Sequence, residues 1–224
     1  MNKLIGFFLF FDILHLGSSI GLIIAGFIFM QHMEKLPLNT ENAPQVILLY
    51  YLPCVPIFVN GIISAVTFLF SLPALLLPQS VFWLRLHGWL LVICAIYSLV
   101  LGLMIWVDTL TERAQMFEAW TDVGPTVQTL LQERFNCCGY LSAMEPLFVT
   151  DATCPNALAA SQTKPCVGPF TNYQDWFFNT TFTILFGIVG LDFIMLCMTA
   201  MVVKQRNEIR RYRKLDEKKG LGAI

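Results

Sequence analysis

Residues 177–203 read FFNTTFTILFGIVGLDFIMLCMTAMVV. Crossing ~30 Å of hydrocarbon takes about 20 helical residues, and this run has them. It holds one charged residue, Asp192, and a basic segment, 204–224, follows at once. Working outward, three more runs have the same character: 4–30, 50–72 with an extension reaching Leu77, and 86–107. None alternates apolar and polar residues, as a membrane barrel strand does. The expected fold class is therefore an all-α membrane protein with four transmembrane helices.

The composition agrees. Of 224 residues, 56% are hydrophobic and 13% charged, whereas soluble domains are about a quarter charged. The net charge of −1 offers no basic surface for phosphates and excludes a nucleic-acid partner. That near-zero total hides an asymmetry. Segment 204–224 is net +5, with eight bases against Glu208, Asp216 and Glu217. Segment 108–175 is net −5, with eight acids against Arg113, Arg134 and Lys164.

Basic flanks stay cytoplasmic, and four spans put both termini on one side. The expected order is then a cytoplasmic 1–3, a small outer loop 31–49, an inner turn 73–85, a large outer loop 108–176 and a cytoplasmic tail 204–224. The first span is too long for a signal-peptide core and is read as an uncleaved anchor.

Four of the seven cysteines, Cys137, Cys138, Cys154 and Cys166, fall in the large outer loop. An oxidising compartment favours their pairing. A bridge between adjacent Cys137 and Cys138 closes a strained ring, so each is expected to reach Cys154 or Cys166. Gly139 follows at once, where a turn with positive φ is cheap. Cys54, Cys94 and Cys197 fall in spans and read as buried small hydrophobes. Cys197, near the inner end, is also a palmitoylation candidate.

Four spans, a small and then a large outer loop, and the motif Cys137-Cys138-Gly139 together resemble the tetraspanin family over the whole chain. The preceding Gln132-Glu133-Arg134-Phe135-Asn136 is similar to that family's lead-in helix. The resemblance implies nested bridges, Cys137–Cys166 and Cys138–Cys154. It also implies a mainly helical loop on long helices that continue the third and fourth spans, with the segment between the cysteines facing partners.

The chain departs from the family in four places. Asp151-Ala152-Thr153 replaces the usual Pro-x-x before Cys154. The third span lacks an acidic or amide residue. Juxtamembrane cysteines are missing from the inner turn and N-terminal tail, and the large loop is short. Chains of this length with four loop cysteines resemble tetraspanins of filamentous fungi, including the type required for appressorial penetration of plant hosts.

Polar residues inside spans are costly and usually face the bundle interior. At ~1.5 Å per residue, Asp12 is roughly 12 Å deep, His15 and Asp192 roughly 16 Å and Asn60 roughly 18 Å. All four are expected in one slab near the midplane, with Asp12 and His15 on one helix face. Three readings stand: a hydrogen-bond belt fixing the bundle, a polar floor for a lipid or sterol hydroxyl, and a proton or ion pathway.

In the outer loop a helix is expected from Pro125, a good first-turn residue. Val127, Leu130, Leu131 and Phe135 form its apolar stripe, and Gln128, Gln132 and Arg134 lie off it. Residues 141–165 read as a surface loop or a partner-facing segment, with Leu147, Phe148 and Val149 its apolar part. Asn179-Thr180-Thr181 matches a glycosylation acceptor at the mouth of the fourth span. The basic tail reads as an anchor or as attracted to anionic lipid. The closing residues 220–224 suit a groove that takes a C-terminal carboxylate.

No catalytic pattern is expected. His15, His32 and His87 are dispersed, and no metal or cofactor motif occurs. Pro53, Pro56 and Pro73 break or kink the second span, which is the best case for a transporter. The expectation is a non-enzymatic organiser of other integral membrane proteins, with lipid or sterol contacts and a candidate homo-oligomer. The plasma membrane, with an endosomal or vacuolar pool, is its expected location.

Overall fold

The computed structural model describes residues 3–35, 38–77, 80–144 and 148–218, apart from the side chains of 34, 35 and 112–114. Leu147, Lys219 and the terminal 220–224 lie outside the described residues. Every regular element described is a helix: α1 (Lys3–Lys35), α2 (Ala43–Tyr51), α3 (Cys54–Leu76), α4 (Phe82–Asp122), α5 (Pro125–Phe135), α6 (Ala157–Gln162) and α7 (Val167–Lys218). Four of them, α1, α3, α4 and α7, are long and apolar enough to cross a membrane. The chain is a multi-pass membrane protein.

The second span starts later than the sequence suggests. Tyr50 and Tyr51 close α2, Leu52 is extended (φ −81°, ψ 135°), and helix resumes at Cys54. Pro53 is the cause. It has no N–H to continue the ladder, and its ring pushes the preceding residue out of the helical region. Pro56 then sits harmlessly in the first turn of α3, and Pro73 lies in the last turns before the helix stops at Leu76. The expected small loop 31–49 is also largely helical. Between α1 and α2, the Asn39 side chain accepts from the N–H groups of Glu41 and Asn42 at 3.1 and 2.9 Å. Asn42 Oδ1 accepts from Asn39 N–H at 2.8 Å, and this turn launches α2 with Pro44 in its first turn.

The chain divides into two compact units. The first holds 1–26, 55–101 and 185–224. Phe8, Leu84, Leu91, Met195 and Met198 fill one part of its core. Its polar pattern is inverted relative to a soluble bundle. Asp12, His15, Asn60, Thr67, Ser71, His87, Ser98 and Asp192 are buried, while Phe10, Leu69, Trp89, Ile96 and Phe193 are exposed. In a bilayer that inversion is the favourable one, because tails solvate apolar side chains and polar groups need protein partners. Two glycines set how closely α1 and α3 approach. A Cβ on Gly26 would stand 2.8 Å from Phe58 Cβ, and one on Gly61 would stand 2.8 Å from Ile23 N. Small residues permit such backbone contact between helices in lipid.

The second unit holds 27–54 and 102–184. In it α2 packs on α5, and Thr40 donates to Glu133 at 3.0 Å. Trp120, Tyr140, Phe170, Phe178, Met116 and Leu131 are among its large buried side chains. The Trp120 and Tyr140 ring centroids are 5.4 Å apart.

Candidate functional site

The second unit carries a stapled cap built around one turn. Helix α5 ends at Asn136 in the left-handed conformation (φ 48°), one that Asn tolerates better than most residues. Cys137 and Cys138 follow, both fully buried. Gly139 then has φ 66°, and a Cβ there would run into Ser142 O, so only glycine fits. Cys137 is bonded to Cys166 and Cys138 to Cys154. Three backbone bonds align the two sides: Cys138 N–H to Lys164 O at 3.1 Å, Cys166 N–H to Gly139 O at 2.9 Å and Val167 N–H to Tyr140 O at 3.1 Å.

The centre of the cap is a residue that the helical pattern left outside the core. Gln132 is fully buried. Its amide donates to Val149 O at 2.8 Å and to Asp151 Oδ2 at 2.6 Å. Its carbonyl accepts from Gly139 N–H at 3.2 Å and Val149 N–H at 3.3 Å. Asp151 Oδ1 in turn accepts from the N–H groups of Thr153 and Cys154, at 2.8 and 2.6 Å. Asp151 thus orders the turn before Cys154 by side-chain bonding.

The cap exposes Leu141, Met144 and Leu158, at 51%, 68% and 70%. Phe148 packs inward against Cys138, Cys154 and Ala160. Of the α5 stripe, Leu131 is buried and Val127, Leu130 and Phe135 are half-buried. Asn179 is exposed on continuous helix, not in a loop, and its carbonyl accepts from Thr183 Oγ1 at 2.7 Å.

In the first unit all four intramembrane polar residues are buried, but they do not form one plane. Asp12 accepts from Ser71 Oγ. His15 Nε2 lies 3.1 Å from Asp192 Oδ1, within ion-pair distance but outside hydrogen-bond alignment. Asn60 Nδ2 donates to Ser98 Oγ at 2.9 Å. On α3, Asn60 and Ser71 are separated by about 16 Å of helix rise. The single slab followed from counting the depth of Asn60 from Leu72; α3 runs from Cys54 on to Leu76, which leaves Asn60 near the start of its helix.

The partners were missed, although they leave a signal. Asn60, Ser64, Thr67 and Ser71 recur at helical spacing along α3, one polar stripe on an otherwise apolar helix. Thr67 Oγ1 lies 3.2 Å from Cys94 Sγ, and His87 Nδ1 lies 3.2 Å from Thr67 O. Cys54 and Cys94 are buried as expected, whereas Cys197 is exposed on the outer face of α7, because its position on the helix turns it away from buried Met195 and Met198. Comparison with protein-family models, curated proteins and solved structures finds no match for this chain.

Proposed function

We propose that the protein is a non-enzymatic membrane organiser. Its four apolar helices anchor it, and the stapled cap, on the outer side, binds other integral membrane proteins in the same membrane. The observation that carries this reading is the apolar trio Leu141, Met144 and Leu158 exposed on a frame fixed by two disulfides. Exposed apolar side chains on a rigid frame suit binding, because little conformational freedom remains to be lost. The affinity on this reading is modest and the contact lateral. The tetraspanin-like sequence pattern is in keeping with it, and by that resemblance the process served is polarised growth or host penetration in a fungus.

The test is photo-crosslinking from positions 141, 144 and 158 in intact membranes, followed by purification in mild detergent. Discrete adducts with membrane proteins are expected at these positions and not at exposed Arg134. The adducts should vanish in a Cys137→Ser/Cys138→Ser variant that still inserts. Crosslinks to lipid alone from all three positions would overturn the reading.

A second reading has its own observation. The buried His15–Asp192 contact leaves His15 Nδ1 and Asp192 Oδ2 without a hydrogen bond to any described residue. Such groups inside a bundle mark solute or lipid sites as well as structural belts. A small transporter or a lipid- or sterol-binding protein would use them. Proton-coupled flux in liposomes, lost in Asp192→Asn, would favour this reading over the first.

A further inference from the structure

A groove of about 630 Å³ runs between α4 and α7 within the first unit. That lies inside the range of about 300–1,000 Å³ usual for ligand sites. Gly88, Trp89 and Ala200 are among the residues that line it, as are Arg85, Lys204 and Arg211 toward the start of α4. The depression follows from the sequence. Gly88 contributes no side chain, and the nearest atom that a Cβ there would meet is Thr199 Cγ2, 3.5 Å away. The three bases come together because Lys204 and Arg211 are seven apart on α7, hence on one face, and Arg85 lies in the first turn of α4. Arg206 donates to Ser80 O at 3.2 Å, which ties the start of α4 to α7 and holds that end of the groove in place.

The charges at this end are unbalanced. Arg85, Lys204 and Arg211 make no ion pair with any described residue, and Glu208 is the one acid beside them. Toward the other end the lining is apolar, with Val92 and Leu196, and Ile93 and Ile96, farther along α4, are exposed apolar residues.

We propose that this groove binds one anionic phospholipid. Its phosphate sits among Arg85, Lys204 and Arg211, and one acyl chain lies along Gly88, Val92 and Ala200. Charge complementarity selects this occupant. A zwitterionic lipid brings its own cation to a cluster that already has a net positive charge. A soluble phosphate compound leaves the apolar part of the groove, with Val92 and Leu196, unused. This site is separate from the cap and does not depend on its role.

The test is native mass spectrometry of the full chain in mild detergent, titrated with phosphatidylglycerol or with phosphatidylcholine of identical chains. One phosphatidylglycerol should be retained at least about tenfold more readily, since a basic residue near an anionic lipid is worth about fivefold in binding. Arg85→Gln/Lys204→Gln/Arg211→Gln should reduce that preference to near unity. Ala200→Trp, at an exposed position, should lose the adduct while keeping all three bases. Inorganic phosphate should not compete. Helical circular dichroism and a single gel-filtration peak qualify each variant. Equal retention of the two lipids, an unchanged preference in the triple variant, or displacement by phosphate would each overturn the proposal.

Discussion

The Gln132 amide donates to Asp151 Oδ2 at 2.6 Å, and through this bond the last turns of α5 hold the turn that presents Cys154. Replacing Gln132 with Leu removes a buried hub and orphans Gly139 N–H and Val149 N–H. Each orphaned group costs about 1–3 kcal/mol. The expected outcome is a cap whose disulfides open at lower reductant concentration than in the wild type. Gln132→Glu should be worse, because a carboxylate has no hydrogen to donate to Asp151. Thiol labelling across a reductant series measures this, and identical midpoints for all three chains would refute the hub role.

Gly139→Ala tests the turn. The left-handed conformation alone costs a residue with a Cβ about 1–2 kcal/mol, and the methyl would also run into Ser142 O. The turn must shift, and with it both adjacent cysteines. Non-reducing peptide mapping should find mixed pairings or free thiols. A variant with Cys137–Cys166 and Cys138–Cys154 formed in full yield would show that the turn tolerates the methyl.

The His15–Asp192 contact predicts a non-additive series. His15→Leu strands a buried carboxylate, and Asp192→Leu strands a buried imidazole. Breaking such a pair from one side costs about 3–5 kcal/mol. His15→Leu/Asp192→Leu removes both groups and should recover most of the lost thermal stability in detergent. If the double variant is as unstable as the sum of the singles, the contact contributes nothing to the bundle.

Gly26→Leu and Gly61→Leu should separate α1 from α3. In each case the new side chain meets atoms of the facing helix that already lie within 3.0 Å of its Cβ. Cysteine crosslinking between the two helices should fall sharply, while Gly17→Leu, where nothing lies within 4 Å of the Cβ, should leave it unchanged.

Much of the fold is legible because each span is a long one-dimensional signal. The boundaries are less so. The run from Tyr50 onward looks continuous by hydropathy, and only the backbone chemistry of Pro53 cuts it in two. Within the cap, the cysteine and glycine positions are visible in the sequence, but Gln132 is not. Its burial depends on Val149 and Asp151, which reach it through a loop with no periodic pattern. The bundle interior fails in the same way for a different reason. Asp12 and Asp192 stand out as charges, whereas Ser71, Thr67 and Ser98 are common in apolar helices and acquire meaning only when a partner faces them. The stripe from Asn60 to Ser71 was nonetheless readable as a single helix face.

The two bridges start from neighbouring residues, which sets a problem in the order of synthesis. Cys154 emerges from the ribosome before Cys166, when Cys137 and Cys138 are both already waiting. The first thiol to arrive therefore meets two adjacent suitors, and joining the earlier one gives a covalently plausible but wrong chain. Whenever Cys137 is taken first, correct maturation depends on thiol–disulfide exchange. Yield of this protein should consequently track the supply of thiol–disulfide isomerase in the host that makes it more closely than the supply of oxidant.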